Sequence, residues 1–321
     1  MRTIRNASVA VVGGAGFLGS HLVNHLIEDR GCKVRVVDNL SVGLTKYIHP
    51  KASFSAVDVC IGDHDFLADL IKGSEWLFMV AAIPFVPDGF KRPLHTFENT
   101  ATSVLKVLCA AEKAGVEGTL VVSSAEIFGS TVGGAVSESS PIVPHSTYAA
   151  AKQAADSLVQ VRWHEAGVRS LAVRQFNSYG PRCLQPLVLT TIISQLANGP
   201  VVQLGNNTTR DFQFCADTVK AWTLLLENGQ WGDVINCGSE TCITIYDLAE
   251  MVGRIMGYDK IEIVLDESRV RPGKVEVWHL HADCTKMHSV IGRQQTIALE
   301  DGLAQTIAWY RKNGGWDFAR E

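Results

Sequence analysis

Tyr148 and Lys152 stand four residues apart in Tyr148-Ala-Ala-Ala-Lys152, a spacing that puts both on one helix face about one turn apart. A phenol beside an ammonium has its phenolate stabilised, so its pKa is expected to fall toward the working pH. A tyrosine tuned in this way takes a proton from an alcohol while a hydride leaves the same carbon. The stretch Ser123-Ser-Ala-Glu-Ile-Phe-Gly129 adds Ser124, which can share that proton, and Glu126, a second base. Ser124, Glu126, Tyr148 and Lys152 are the candidate catalytic residues.

A departing hydride needs an acceptor, and the start of the chain is built to bind one. Residues 8–12 form an apolar, β-branched run, the pattern of a buried parallel strand. Gly13-Gly-Ala-Gly16-Phe-Leu-Gly19 follows, and then a helical pattern over 20–28. Glycines at this spacing allow a tight turn and let backbone approach a pyrophosphate at the helix N-terminus. A second strand over 33–37 ends in Asp38, 19 residues beyond Gly19. An acid there binds ribose hydroxyls and repels a 2′-phosphate, so NAD is favoured over NADP. A third strand leads to Asp58, placed to read an adenine amino group; a helix N-cap is the plainer alternative there and the better one for Asp63. A fourth strand, from Trp76, ends in the small Ala81 and Ala82, where a cofactor could pass closely.

Helix 99–114, a strand over 119–123, a Gly/Ser/Pro-rich loop over 130–147, helix 148–165 and a strand over 169–173 continue the alternation. Strands alternating with helices predict an α/β fold, a doubly wound parallel sheet of Rossmann type. After about Asn177 the alternation degrades. Residues 1–176 are therefore expected to form the cofactor domain, and 177–321 mainly a smaller α/β substrate-binding domain, partly interleaved with it. The closing helix 303–313 carries Trp309 and Tyr310, expected in the core.

The 321 residues are 46% hydrophobic and 19% charged, enough for one large domain or two smaller ones. A net charge of −4 with no Lys/Arg-rich run argues against a nucleic-acid partner. The eight cysteines are scattered, none in a C-x-x-C pair, so reduced thiols are expected rather than metal sites or disulfides. The apolar run behind the basic first residues is broken at Gly13, Gly14 and Gly16, so no signal peptide is expected. No stretch reaches the roughly 18 apolar residues of a membrane span. The expectation is a cytoplasmic protein without a membrane partner.

Together these residues resemble the extended short-chain dehydrogenase/reductase family, in its nucleotide-sugar epimerase and dehydratase branch, over nearly the whole chain. Gly13 to Leu22 resembles the family's opening, and Tyr148 with Lys152 its catalytic pair. The resemblance implies NAD contacts at Gly13, Gly16, Phe17, Leu18 and Gly19, at Asp38, Asn39, Asp58 and Val59, and at Ala81, Ala82 and Asn99. It also implies that the NAD is bound and not consumed. Tyr148 would deprotonate the sugar C4 hydroxyl as C4 is oxidised to a ketone. Lys152 would lower the tyrosine pKa and bind the nicotinamide ribose, and Ser124 would relay the proton. Three substrate-side motifs are similar too: Arg174 to Arg182, Arg210-Asp-Phe212 with Asp217, and Arg271-Pro-Gly273. They imply that Arg210 and Arg271 pair with the diphosphate of a UDP-sugar, that Asn177 hydrogen-bonds it, and that Arg182 lies on the same side. A solvated salt bridge is the alternative for these arginines, and Arg269 could exchange roles with Arg271. The loop over 83–95, with Pro84, Pro87 and Pro93, would border the sugar. A homodimer is implied through helices 100–114 and 148–165, although Val104, Leu105, Leu108, Leu158 and Val159 would serve a monomer core equally.

One departure from the family pattern is informative. In the 4,6-dehydratases the stretch at Ser124-Ala125-Glu126 resembles Thr-Asp-Glu, the aspartate protonating the C6 leaving hydroxyl and the glutamate removing the C5 proton. In the 4-epimerases it resembles Ser-Ala followed by a residue that is usually not acidic. This chain keeps the base and lacks the acid; Ser124, Tyr148 and Cys183 are the candidates to help the C6 hydroxyl leave. The hybrid resembles the UDP-GlcNAc 5,6-dehydratases of tunicamycin-type nucleoside biosynthesis, in which the hydride returns to C4 and the alkene stays. The expected activity is therefore a lyase acting on a UDP-hexose, favoured as UDP-GlcNAc, with 4-epimerisation as the alternative if Glu126 turns away from the pocket. A non-catalytic NAD-binding regulator is a third reading, and the retention of Tyr148 and Lys152 weighs against it.

Overall fold

The computed structural model describes residues 2–83, 86–131, 133–271 and 275–313. Its strands in chain order are β1 (Ser8–Val12), β2 (Lys33–Asp38), β3 (Ser53–Ala56), β4 (Trp76–Met79), β5 (Gly118–Ser124), β6 (Ser170–Gln175), β7 (Asn177–Tyr179), β8 (Val201–Leu204), β9 (Thr209–Phe214), β10 (Val234–Cys237), β11 (Cys242–Thr244), β12 (Glu262–Leu265) and β13 (His279–Leu280). The helices are α1 (Phe17–Asn24), α2 (His64–Ile71), α3 (Val86–Lys91), α4 (Pro93–Phe97), α5 (Ser103–Ala114), α6 (Thr147–Ala166), α7 (Val188–Leu196), α8 (Cys215–Asn228), α9 (Ile245–Met256), α10 (Thr285–Ile291) and α11 (Leu299–Asn313).

Seven parallel strands form the main sheet in the order β10-β6-β5-β4-β1-β2-β3. The apolar runs of β4 and β5 are buried along their whole length, as strands covered on both faces must be. Strand order reverses between β1 and β4, so the crevice beyond their carboxyl ends is the topological switch point where such sheets bind ligands. One face of the sheet is covered by a core that includes Leu22 and Leu26 from α1 and its extension with Trp222 and Leu225 from α8. The other face carries Leu67 and Ile71 of α2, Val107 and Leu108 of α5, and Val159 of α6.

The chain beyond Asn177 does not stay apart from this sheet. β10 returns to pair in register with β6, Val234 against Ala172, and α8 packs on α1. The remaining elements build a second unit: a sheet in the order β11-β9-β13, with β7 also on β9, and the pair β8–β12. Its own core contains Ile192, Leu196, Phe212, Leu248, Val252 and Tyr310.

Local chemistry explains several element ends. α1 begins at Phe17, three residues before the predicted start, because extended Gly16 leads directly into the first turn; a π turn over His25–Asp29 prolongs it. Asp63 caps α2, its side chain accepting from the Phe66 N–H, a contact worth about 1 kcal/mol. On α5 and α6, Val104, Leu108 and Val159 are buried in the chain's own core, whereas Leu105 and Val161 are exposed. Among the described residues no helix is long and apolar enough to cross a membrane. The eight cysteines are free thiols.

Candidate active site

A cleft of about 860 Å³ opens at the carboxyl ends of β1, β4 and β5 and runs onto the second unit. That is the size of a cofactor-plus-ligand site. The candidate catalytic and cofactor residues line it, as do Asn177, Arg182, Arg210 and Arg271 of the substrate-side motifs, whereas Arg174 and Asp217 do not. Gly13 has a φ of +86°, and a Cβ there would lie 2.6 Å from the Ala81 nitrogen. A Cβ on Gly19 would lie 1.9 Å from the Gly13 carbonyl oxygen. Only glycine lets β1, β4 and α1 approach this closely, and the cradle leaves the α1 N-terminus facing the cleft.

Asp38 is buried at the end of β2, its carboxylate accepting from the Ala15 and Leu40 N–H groups at 2.9 and 2.8 Å. It braces the glycine turn from below while lining the cleft. Asp58 follows β3, accepts from the Cys60 N–H and from the Asn39 side chain, and sits beside Val59 on the cleft wall. Asn39 itself is exposed at the rim. Asn99 donates to the His95 carbonyl and keeps its amide oxygen toward the Cys60 thiol. A glycine cradle, a carboxylate at the end of β2 and a second one beyond β3 fit a dinucleotide such as NAD.

β5 delivers Ser124 at its end, and the chain turns at once into a 3₁₀ turn over Ala125–Phe128. The Ser124 hydroxyl caps that turn by accepting from the Glu126 N–H at 3.2 Å, which fixes where Glu126 points. Ser146 caps α6 in the same way, placing Tyr148 in its first turn and Lys152 in the next. Tyr148 and Lys152 are both buried. Their electrostatics correct the sequence-based expectation. Burial raises the Tyr148 phenol above its ordinary range, Ser124 opposes this by hydrogen bonding, and Glu126 adds to it. The Lys152 ammonium donates to the Val122 carbonyl at 2.6 Å, and its nitrogen lies 5.8 Å from the Tyr148 ring centre. Burial brings Lys152 down to about 8, and Asp156 opposes that shift. The bond to Val122 engages one of the three ammonium N–H groups with the β5 backbone.

The substrate side carries a charged quartet. Arg271 reaches Glu126 with both terminal nitrogens, at 3.2 and 3.4 Å, and Glu276 at 3.9 Å. Burial acts to lower the Arg271 guanidinium, but Glu126 and Glu276 together outweigh it and the net shift is upward. Arg210 is buried on β9, donates to the Thr209 carbonyl and is shifted down, chiefly by burial, with Glu126 opposing. Asn206 donates to Glu276 at 3.0 Å. Arg182 turns toward α1 instead: it donates to the Ser20 carbonyl and stacks over Tyr47, 5.7 Å from the ring centre. Asn177 lines the cleft from β7. Cys183 is buried, and burial pushes its thiol up to about 12, which suits it poorly for proton delivery. Of the proline loop, Ile83, Phe90 and Lys91 line the cleft and Pro93 opens α4. Pro84, Pro272 and Gly273 lie outside the described residues.

Two groups escaped the sequence reading. Asp156 lies one turn beyond Lys152 and pairs with Arg174 at 2.9 Å, both side chains buried. The i, i+4 spacing that joins Tyr148 to Lys152, carried on once more, points to it. Glu276 had no comparable signal, because its hydrogen-bond partner Asn206 is distant in sequence.

The family model of GDP-mannose 4,6 dehydratase matches residues 10–306. The chain is 30% identical to a dTDP-glucose 4,6-dehydratase of Streptomyces niveus, covering 96% of this chain and 94% of that one. Among solved structures it is similar to a dTDP-glucose 4,6-dehydratase from Streptomyces venezuelae with NAD bound, at 27% identity and a TM-score of 0.88, covering 96% and 98% of the two chains. It is also similar to a UDP-N-acetylglucosamine 4-epimerase from Methanobrevibacter ruminantium in complex with UDP-N-acetylmuramic acid, at 27% identity and a TM-score of 0.86, covering 96% and 99%.

Proposed function

The chain belongs to the GDP-mannose 4,6-dehydratase family of NAD-dependent nucleotide-sugar dehydratases and epimerases, and within it we propose a UDP-GlcNAc 5,6-dehydratase of the kind used in tunicamycin-type nucleoside biosynthesis. The observation that carries this reading is the carboxylate of Glu126 on the cleft wall beside Tyr148, next to Ala125, which has no acid to offer.

NAD, when bound, supplies a reversible hydride acceptor for the sugar carbon C4. The glycine cradle with Phe17 and Leu18, the carboxylates of Asp38 and Asp58, and the neighbouring Asn39, Val59, Ala81, Ala82 and Asn99 would hold it. Tyr148 takes the proton of the C4 hydroxyl, with Ser124 hydrogen-bonded to the phenol as the relay. With C4 at the ketone level, C5–H is acidified. Glu126 accepts that proton and passes it on to the C6 hydroxyl, which departs as water while the C5–H electron pair forms the C5=C6 bond. In a 4,6-dehydratase the neighbouring aspartate protonates the leaving hydroxyl and the glutamate keeps its proton for C5; with alanine at position 125, Glu126 gives that proton to the leaving hydroxyl and none is left for C5. Returning C4 to the alcohol, with Tyr148 giving its proton back, leaves the 5,6-ene in place.

Arg210, Arg271 and Asn177 would receive the UDP diphosphate, since a guanidinium fork matches phosphate geometry. Arg182 would act at one remove, through α1 and Tyr47. Residues 1–176 would then serve the cofactor and 177–321 mainly the sugar nucleotide, with β10 and α8 crossing back. Pairing of two copies through α5 and α6 would cover Leu105 and Val161.

A second reading is a UDP-sugar 4-epimerase, favoured by the Arg271–Glu126 pair: a carboxylate held by a guanidinium has its lone pairs engaged and is a poorer base. Product analysis after incubation with UDP-GlcNAc and NAD tests the proposal. Loss of water with new alkene proton signals supports 5,6-dehydration. Unchanged mass with inversion at C4 establishes the epimerase, and loss of water with a new methyl doublet establishes a 4,6-dehydratase.

A further inference from the structure

The sheet β11-β9-β13 has two faces. Along β9, Arg210 and Phe212 line the cleft, and so does Leu280 of β13, the register partner of Arg210. Strand alternation sends their neighbours to the opposite face. There Cys242 of β11 pairs with Asp211, and His279 and His281 flank Leu280. One ligand atom each from Cys242, His279 and His281 lies within 4.8 Å of the others, and all three residues are half-buried. The two imidazole rings stand edge to face, 6.4 Å apart.

We propose that Cys242, His279 and His281 form a metal site for one borderline-soft divalent ion, Zn²⁺ being the probe of choice, behind the substrate side of the cleft. One thiolate and two imidazoles are a zinc-type donor set, and the absence of a carboxylate among the three disfavours Mg²⁺ and Ca²⁺. Tetrahedral zinc, with bonds of about 2.0–2.3 Å, sets ligand atoms roughly 3.3–3.8 Å apart, so the cluster closes by about 1 Å of side-chain rotation. The outer contacts also suit ligation. His281 Nε2 meets the Glu240 carbonyl at 3.2 Å, and if it carries the proton the other ring nitrogen is left as the donor to the metal. The His279 backbone is held by Thr131, whose hydroxyl donates to its carbonyl at 2.8 Å. Three protein ligands leave the fourth position to water. The ion would tie β11 to β13 across β9, the strand that carries Arg210. The pattern was invisible in the sequence because Cys242 is far from the histidines and belongs to no C-x-x-C pair.

Equilibrium dialysis of the tag-free, chelator-stripped chain against Zn²⁺, with metal counted by mass spectrometry, tests the site. One equivalent per chain is expected, with a raised melting temperature. Replacing Zn²⁺ with Co²⁺ should produce a thiolate-to-cobalt charge-transfer band. Cys242→Ser and His281→Gln should each abolish stoichiometric binding, while circular dichroism and turnover of nucleotide sugar show that the variants fold. If Cys242→Ser does not fold, His281→Gln and the wild-type cobalt spectrum decide. No stoichiometric uptake by the wild type, uptake that survives both substitutions, or a cobalt spectrum without the thiolate band overturns the proposal.

Discussion

Glu126 and Arg271, 145 residues apart in sequence, meet in the cleft as a two-nitrogen, two-oxygen ion pair. One guanidinium cannot embrace this carboxylate and a diphosphate at the same time. Nucleotide-sugar binding and release of the proposed base are therefore in competition for Arg271. A double-mutant cycle with Glu126→Gln and Arg271→Met should give a coupling of about 0.5–3 kcal/mol in urea unfolding. Arg271→Met should also raise KM for the nucleotide sugar. Additive effects on stability would mean that the pair does not persist in solution.

Glu126→Gln should suppress water loss by about 10²–10⁴-fold, the worth of a placed general base. Its C4 oxidation should continue, visible as transient absorbance of reduced nicotinamide. Elimination at the wild-type rate would remove Glu126 from the mechanism.

Tyr148→Phe should lower turnover by about 10²–10⁴-fold while leaving UDP affinity by calorimetry unchanged, because the phenol acts on the proton and not on the diphosphate. A parallel loss of UDP binding would point to a packing role.

Ala125→Asp introduces the missing acid. Ala125 opens the 3₁₀ turn, is 1% exposed and packs in the core, so burying the carboxyl there should cost about 1–3 kcal/mol. In the protein that remains folded, proton NMR should show a methyl doublet growing at the expense of alkene signals. An unchanged product would indicate that position 125 does not reach C5 or C6.

Lys152 gives a pH-dependent stability. The unfolded chain keeps the lysine proton up to its ordinary value of 10.5, whereas the buried side chain releases it from about 8. Folded wild type therefore gains stability as pH rises across that window, and loses it as pH falls back through about 8. Lys152→Met lacks this gain. Its advantage over wild type, about 3 kcal/mol at neutral pH, should shrink steadily between these two pH values in urea titrations, with activity abolished throughout. A pH-independent difference would mean that Lys152 titrates normally.

Part of this molecule is dictated locally, and that part was legible from residue order alone. The glycine turn, Asp38 at the end of β2 and the Tyr148–Lys152 spacing depend on backbone geometry within a few residues, so composition and period identify them. The parallel sheet follows from the same alternation. Asp156 was within reach of that logic, being one more helical turn along α6.

Other features depend on which strands become neighbours and on what water is excluded, and no local pattern encodes those. β10 joins the main sheet from beyond Asn177 because its apolar edge completes β6. The phenol of Tyr148 is raised, not lowered, because burial costs the phenolate its hydration and Glu126 adds its charge. Arg182, on the wall of the same cleft, is held by the Ser20 carbonyl of α1 and by the Tyr47 ring, neither of them its neighbour in sequence. Cys242 meets two histidines only because β11 and β13 both pair with β9, and Arg271 meets Glu126 across 145 residues of chain. The sequence by itself determined the glycine turn with Asp38 and the one-turn spacing of Tyr148 and Lys152. The tertiary structure decided how those groups are charged and what holds them, since both depend on contacts between segments far apart along the chain.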